Sequence, residues 1–181
     1  YEQGWERIKD TLAPRLTPAA ARICCGLSTY LPTLISNLEA LTPTLCHGDC
    51  HYGNLLWDET GDPDMVWFLD WQMAAVGPAA LDVSWLMAFG IAPADLPFVR
   101  QEYLPEYHAA LVSQGVTNYG YEQFLDDYRF GRLDGLARLT AFLATVDFAE
   151  GGNPIEFASM RVGSVAAAAE DAGCADLFVD N

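Results

Sequence analysis

Apolar residues recur at helical spacing through the first part of the chain, at Ile23, Leu27, Tyr30, Leu31 and Ile35, and the pattern stops at Leu38. Thr17 ahead of Pro18 has the form of an N-cap followed by a first helical residue, so a helix is expected to start there. Leu45 and Cys46 then read as a short strand, and the polar, glycine-containing run from His47 to Gly53 reads as an irregular loop. Leu55-Leu56-Trp57 and Met65-Val66-Trp67-Phe68-Leu69 flank the turn-rich run from Asp58 to Asp64, a hairpin signal. Beyond Pro78 the pattern turns helical, with helices expected near Ala79 to Gly90, Leu96 to Gln114, Tyr121 to Glu150 and Ile155 to Ala172. The expected fold class is α+β and mostly helical, with a small strand platform between a leading helix and a helical second half.

Length and charge narrow this picture without choosing a substrate. A chain of 181 residues, 51% hydrophobic, is long enough for one sizeable core and too short for several independent domains. Nine Lys and Arg stand against 25 Asp and Glu, a formal charge of -16 that repels phosphate backbones and anionic lipid. Neither nucleic acid nor membrane is expected as a partner. The cysteines Cys24, Cys25, Cys46, Cys50 and Cys174 are odd in number and sparse, which fits a reducing cytoplasm rather than a secreted disulfide scaffold. Cys24 and Cys25 are expected on or near the core face of their helix.

The candidate chemistry lies between Leu45 and Gln72. A hairpin folded about Gly61 and Asp62 puts Asn54 roughly opposite Leu69 and beside Asp70, with Asp49 entering from the loop just upstream. Oxygen ligands distant in sequence then converge at one end of a ribbon, which suits a hard cation such as magnesium. Cys46, His47, Cys50 and His51 offer a rival zinc reading, disfavoured because the four crowd into six residues and no second pair follows at a distance.

His47-Gly48-Asp49 followed by Asn54 resembles the H-G-D-x-x-x-x-N catalytic loop of aminoglycoside phosphotransferases, choline kinases and their relatives, itself parallel to the protein-kinase H-R-D-x-x-x-x-N loop. Phe68-Leu69-Asp70-Trp71-Gln72 resembles the strand and aspartate that follow in that group. The resemblance implies a protein-kinase-like C-lobe in which a small β-hairpin platform carries the catalytic loop. It assigns Asp49 to accept or orient the proton of an acceptor hydroxyl, His47 to brace the loop, and Asn54 and Asp70 to hold Mg2+ on the phosphates of ATP or GTP. Asp82, in Leu81-Asp82-Val83-Ser84-Trp85, resembles the helix aspartate that supports the loop from behind. The reaction implied is transfer of a γ-phosphoryl group to a hydroxyl of a small molecule.

Two features depart from that pattern. Gln72 stands where several relatives carry an acid, and the Asp-Trp-Gln form is closest to broadly assigned bacterial phosphotransferases and to the ecdysteroid-kinase-like branch. The residues ahead of His47 read as helical, with Lys9 their one lysine, and show no glycine-rich strand and turn for a nucleotide-clamping lobe. Residues 1–181 are therefore expected to be a single C-lobe, with loop and metal site at 43–72 and a helical acceptor side at 79–181. Its N-terminal nucleotide lobe would come from the same parent protein or in trans, so the chain alone is expected to be inactive. A non-catalytic binding or regulatory module is the alternative. By the same resemblance the acceptor side draws on Asp126, Asp127, Asp134, Asp147, Glu150, Tyr121 and Tyr128 for a cationic acceptor, or on Phe142, Phe148 and Phe157 for a lipophilic alcohol.

Overall fold

The computed structural model describes residues 1–58, 61–62, 65–146 and 154–178. The chain opens with helix α1 (Glu2–Leu12) and reaches helix α2 (Pro18–Ala40) through a 3-10 turn. Thr17 is the N-cap of α2: its backbone is extended and its Oγ1 accepts the Ala20 N–H at 3.0 Å, satisfying one of the first-turn donors. Ala20, Ile23, Cys24, Leu27 and Leu34 form the buried stripe. Cys25, expected on or near the core face, and Ile35, part of the apolar repeat, face solvent, because one step along a helix turns a side chain by about 100° away from Cys24 or Leu34.

Four short strands follow: β1 (Pro43–Cys46), β2 (Leu55–Trp57), β3 (Val66–Phe68) and β4 (Ala75–Pro78). They form two antiparallel pairs, β2 with β3 and β1 with β4. Leu55 pairs with Phe68 and Trp57 with Val66, and the Leu69 N–H donates to the Asn54 carbonyl at 2.8 Å, which is the register expected from the turn. The second pair goes beyond the expectation, since Ala-Val-Gly-Pro carries little strand signal of its own; it is drawn into a ladder by Cys46 opposite Ala75 and Pro43 opposite Pro78.

The rest is helical: α3 (Ala80–Gly90), α4 (Leu96–Phe98), a π turn at Val99–Tyr103, α5 (Leu104–Ser113), α6 (Tyr121–Phe142), α7 (Pro154–Asp171) and a 3-10 turn at Cys174–Phe178. The helix expected from Leu96 to Gln114 is thus interrupted by the π turn. The one expected to reach Glu150 ends at Phe142, where Ala144 and Thr145 donate to the carbonyls three residues back and tighten the backbone into a turn. Glu150, Asp147 and Phe148 lie outside the described residues.

The chain is therefore mostly helical α+β with small antiparallel sheets, and its core lies among α1, α2, α6 and α7. Ile8, Leu27, Leu133, Leu136 and Val162 are fully buried there. A smaller cluster of Val99, Leu104, Phe124 and Tyr128 packs under α3. The seam that matters for the site runs between α3 and α6. A methyl group at Gly131 would meet Ser84 Oγ at 2.5 Å and the Ala80 carbonyl at 2.6 Å, so only glycine lets the helices approach this closely. Beside it the buried Arg132 donates to the Ser84 carbonyl at 2.9 Å and to the Tyr128 hydroxyl, and burial pushes its pKa down.

Candidate active site

The loop between β1 and β2 is held from behind by one carboxylate. Asp82, in the first turn of α3, accepts the His47 N–H at 2.5 Å and the Gly48 N–H at 2.9 Å. These charge-assisted bonds fix two consecutive peptide units. Gly48 has φ +82°, and a Cβ there would lie 2.1 Å from the Met73 carbonyl oxygen, so the middle residue of His-Gly-Asp must be glycine on two counts. Arg138, from α6, completes the support by donating to the Gly48 carbonyl at 3.1 Å.

His47 is buried and ties the loop to the far strand. The Asp49 N–H lies 3.3 Å from Nδ1, which therefore accepts, and Nε2 carries the proton donated to the Leu69 carbonyl at 2.7 Å. Its ring packs on Trp71 at 4.7 Å between centroids. Asp49 takes the Trp85 indole N–H on Oδ1 at 3.1 Å. Asn54, also buried, donates through Nδ2 to the Asp49 carbonyl at 2.9 Å and at longer range, 3.4 Å, to Oδ2. His51 stands at the same edge, with Nε2 3.5 Å from Asp49 Oδ2 and Nδ1 accepting the Gly53 N–H at 3.1 Å.

Asp70 follows the last ladder bond of the hairpin. Its backbone is left-handed (φ 60°, ψ 61°), a region that aspartate enters more easily than most residues but at some cost in energy. The side chain is exposed and accepts from Gln72 Nε2 at 3.3 Å. Asp49 and Asn54 thus meet at the start of β2, Asp70 follows the backbone bond from Leu69 to Asn54 at the end of β3, and Asp82 stands behind the loop.

The zinc alternative does not fit the geometry. The Cys46 thiol points at the Gly77 and Pro78 carbonyls, 3.2 and 3.4 Å away, while His47 Nε2 is committed to Leu69. Burial, then the charges of Asp82 and Asp49, push the Cys50 thiol up to about 11. Among the described residues no group of three or more His, Cys, Asp or Glu is placed to hold a metal ion.

The proposed acceptor-side residues scatter. Asp134 forms an ion pair with Arg138 at 2.7 Å, and burial raises its pKa even though Arg138 works against the rise. Asp127 is buried and accepts from the Tyr119 hydroxyl at 2.6 Å, with its pKa raised by burial. Asp126 pairs with Arg129, Tyr128 is buried against Arg132, and Tyr121 packs on His108 and Phe124. Phe142 and Phe157 are exposed. Sequence reading missed the roles of Trp85 and Arg138. Trp85 was within reach, since it follows Asp82 by three residues and so shares its helix face; Arg138, 90 residues from Gly48, left no local signal.

A family match over two thirds of its length places this mostly helical α+β chain in the class of phosphotransferases, kinase-type enzymes. It belongs to the phosphotransferase enzyme family, whose sequence model matches residues 2–123, a segment that carries Asp49, Asn54, Asp70, Asp82 and Trp85. No curated protein and no solved structure matched the chain. No helix among the described residues is long and apolar enough to cross a membrane.

Proposed function

We propose that the chain is the acceptor-side, catalytic lobe of a phosphotransferase that moves the γ-phosphoryl group of ATP or GTP to a hydroxyl of a small molecule. The observation that carries this reading is the union of a family match with an Asp49 residue fixed on both peptide and side-chain atoms and in contact with the Asn54 amide. The donor set suits magnesium: Asn54 offers an amide whose nitrogen end is engaged by Asp49, and Asp70 an exposed carboxylate. A magnesium ion there would take its remaining ligands from phosphate oxygens and water and neutralise charge on the transferring group.

The chain's own residues do the rest. Asp49 orients the acceptor hydroxyl and receives its proton as that oxygen bonds to the γ-phosphorus and the bond to the bridging oxygen breaks, releasing nucleoside diphosphate. His47 and Asp82 keep the loop from relaxing, so that alignment is already present when substrate arrives. The partner of this lobe is a nucleotide-binding lobe supplied by the parent protein or in trans. Every described residue from 65 to 76 is exposed, including Trp67, Phe68, Trp71 and Met73, an apolar surface of the kind that marks a docking site.

The test is magnesium-dependent nucleotide turnover by the full-length gene product, screened against pooled aminoglycosides, amino alcohols, sugars and lipophilic alcohols, with Asp49→Ala as control. Acceptor-dependent turnover that disappears in the variant is expected. Equal turnover in the variant would overturn the role of Asp49, and absence of both turnover and nucleotide binding would favour the non-catalytic module that the exposed ribbon also suits.

A further inference from the structure

Phosphoryl transfer needs the accepting carboxylate in one orientation, yet a loop aspartate can rotate about two side-chain bonds. The contacts on Asp49 are unequal. Asn54 makes its shorter bond, 2.9 Å, to the Asp49 carbonyl and reaches the carboxylate at 3.4 Å, while His51 stands 3.5 Å away. The indole N–H of Trp85, at 3.1 Å from Oδ1, is the closest donor to the carboxylate.

Trp85 is itself immobilised. The Arg138 guanidinium lies 4.5 Å from the centre of its ring and Phe89 packs against it at 4.4 Å between centroids. Arg138 is held in turn by the Asp134 carboxylate at 2.7 Å, and the same guanidinium donates to the Gly48 carbonyl at 3.1 Å. The contacts therefore close on themselves: from Gly48 to Arg138, from Arg138 to Trp85, and from Trp85 back to Asp49, the residue next to Gly48. A rigid aromatic side chain, locked on one face by a cation fixed to the loop backbone, cannot follow a rotating carboxylate.

We infer that Trp85 is a positioning residue that holds Asp49 Oδ1 through its indole N–H and so turns Oδ2, which has only the longer contacts to Asn54 and His51, toward the acceptor hydroxyl, with Arg138 and Asp134 as its brace. The kinetic part of this inference rests on the phosphotransferase reading; the contact itself does not. Asp82 and Trp85 then act in succession along α3, the first turn fixing the loop's peptide units and the next turn fixing its reactive side chain.

The test has two arms. In the 15N-labelled 181-residue chain, the indole N–H resonance of Trp85, assigned through the backbone, should shift upfield on Asp49→Ala by more than that of any other tryptophan; an unmoved resonance overturns the inference. In the full-length gene product, Trp85→Phe keeps the aromatic faces for Arg138 and Phe89 but removes the donor, and should lower kcat roughly ten- to a hundredfold with KM for the nucleotide unchanged. A kcat within about twofold of the parent, or a loss confined to KM, overturns the positioning role. Should the unaltered protein show no turnover, the phosphotransferase reading fails by itself, and the indole resonance alone decides whether Trp85 holds Asp49.

Discussion

The helical body and the β2–β3 ribbon are both rich in apolar residues and end in opposite circumstances. In the body, α1, α2, α6 and α7 bury Ile8, Leu27, Leu133 and Leu136 completely. In the ribbon, Val66, Trp67 and Phe68 are all exposed, with no alternation between a covered and a solvated face. Of the 20 large apolar side chains exposed among the described residues, 12 lie between Leu45 and Val76, so the exposure is concentrated and not the scatter normal for a surface. An apolar run without polar alternation is the pattern of strands covered on both sides. The body is stabilised by its own packing, whereas the apolar side chains of the ribbon remain exposed among the described residues.

A pair of truncations puts that contrast under the greatest strain. Leu27→Ala should destabilise the chain by about 2–5 kcal/mol in urea unfolding, while Trp67→Ala should change it by no more than about 0.5 kcal/mol; equal losses would mean that the ribbon contributes to the core after all. Next, Asp82→Ala removes the acceptor for two backbone N–H groups and should lose about 2–3 kcal/mol, with the amide exchange of His47 and Gly48 accelerated most. This variant reports on the junction between the two regions.

Cysteine alkylation probes the same two regions without altering any contact. Burial pushes Cys24 and Cys174 to about 12 and Cys50 to about 11, whereas Cys25 is exposed. Iodoacetamide at about pH 8 should modify Cys25 first, Cys46 and Cys50 at the root of the ribbon next, and Cys24 and Cys174 last, as read by peptide mass mapping. Simultaneous loss of all protection would show that ribbon and body open together.

The smallest effect is expected at Asp127, which lies in the body far from the ribbon in sequence. Burial raises its folded-state pKa, so its contribution to stability is full below the ordinary carboxyl range and is lost as pH rises through the raised value. Asp127→Asn keeps an acceptor for Tyr119 and should raise the melting temperature slightly at about pH 7, with the gain vanishing toward acid pH.

The parts legible in the sequence were those whose cause is local. Thr17-Pro18 capped α2, the turn run between Trp57 and Met65 set the hairpin register, and His47-Gly48-Asp49 with Asn54 marked the loop. What escaped had a distant cause. Strand β4 forms because β1 offers a ladder, and Arg138 reaches Gly48 from the other side of the α3–α6 seam. Ile35 and Cys25 were misplaced for a different reason: helical spacing identifies a stripe but not its centre, and a shift of one residue was enough to turn each outward.

The left-handed backbone of Asp70 narrows what evolution or a protein engineer can place there. Glycine, asparagine and aspartate enter that region most readily, and among them glycine offers no side-chain oxygen and asparagine no charge. The position therefore has almost no neutral neighbours in sequence space: a change to glutamate, which keeps the charge, strains the chain trace, and a change to asparagine, which keeps the trace, discards the charge. Asparagine is consequently the one replacement that separates electrostatics from geometry at this corner, and a library built around the site should spend its diversity elsewhere.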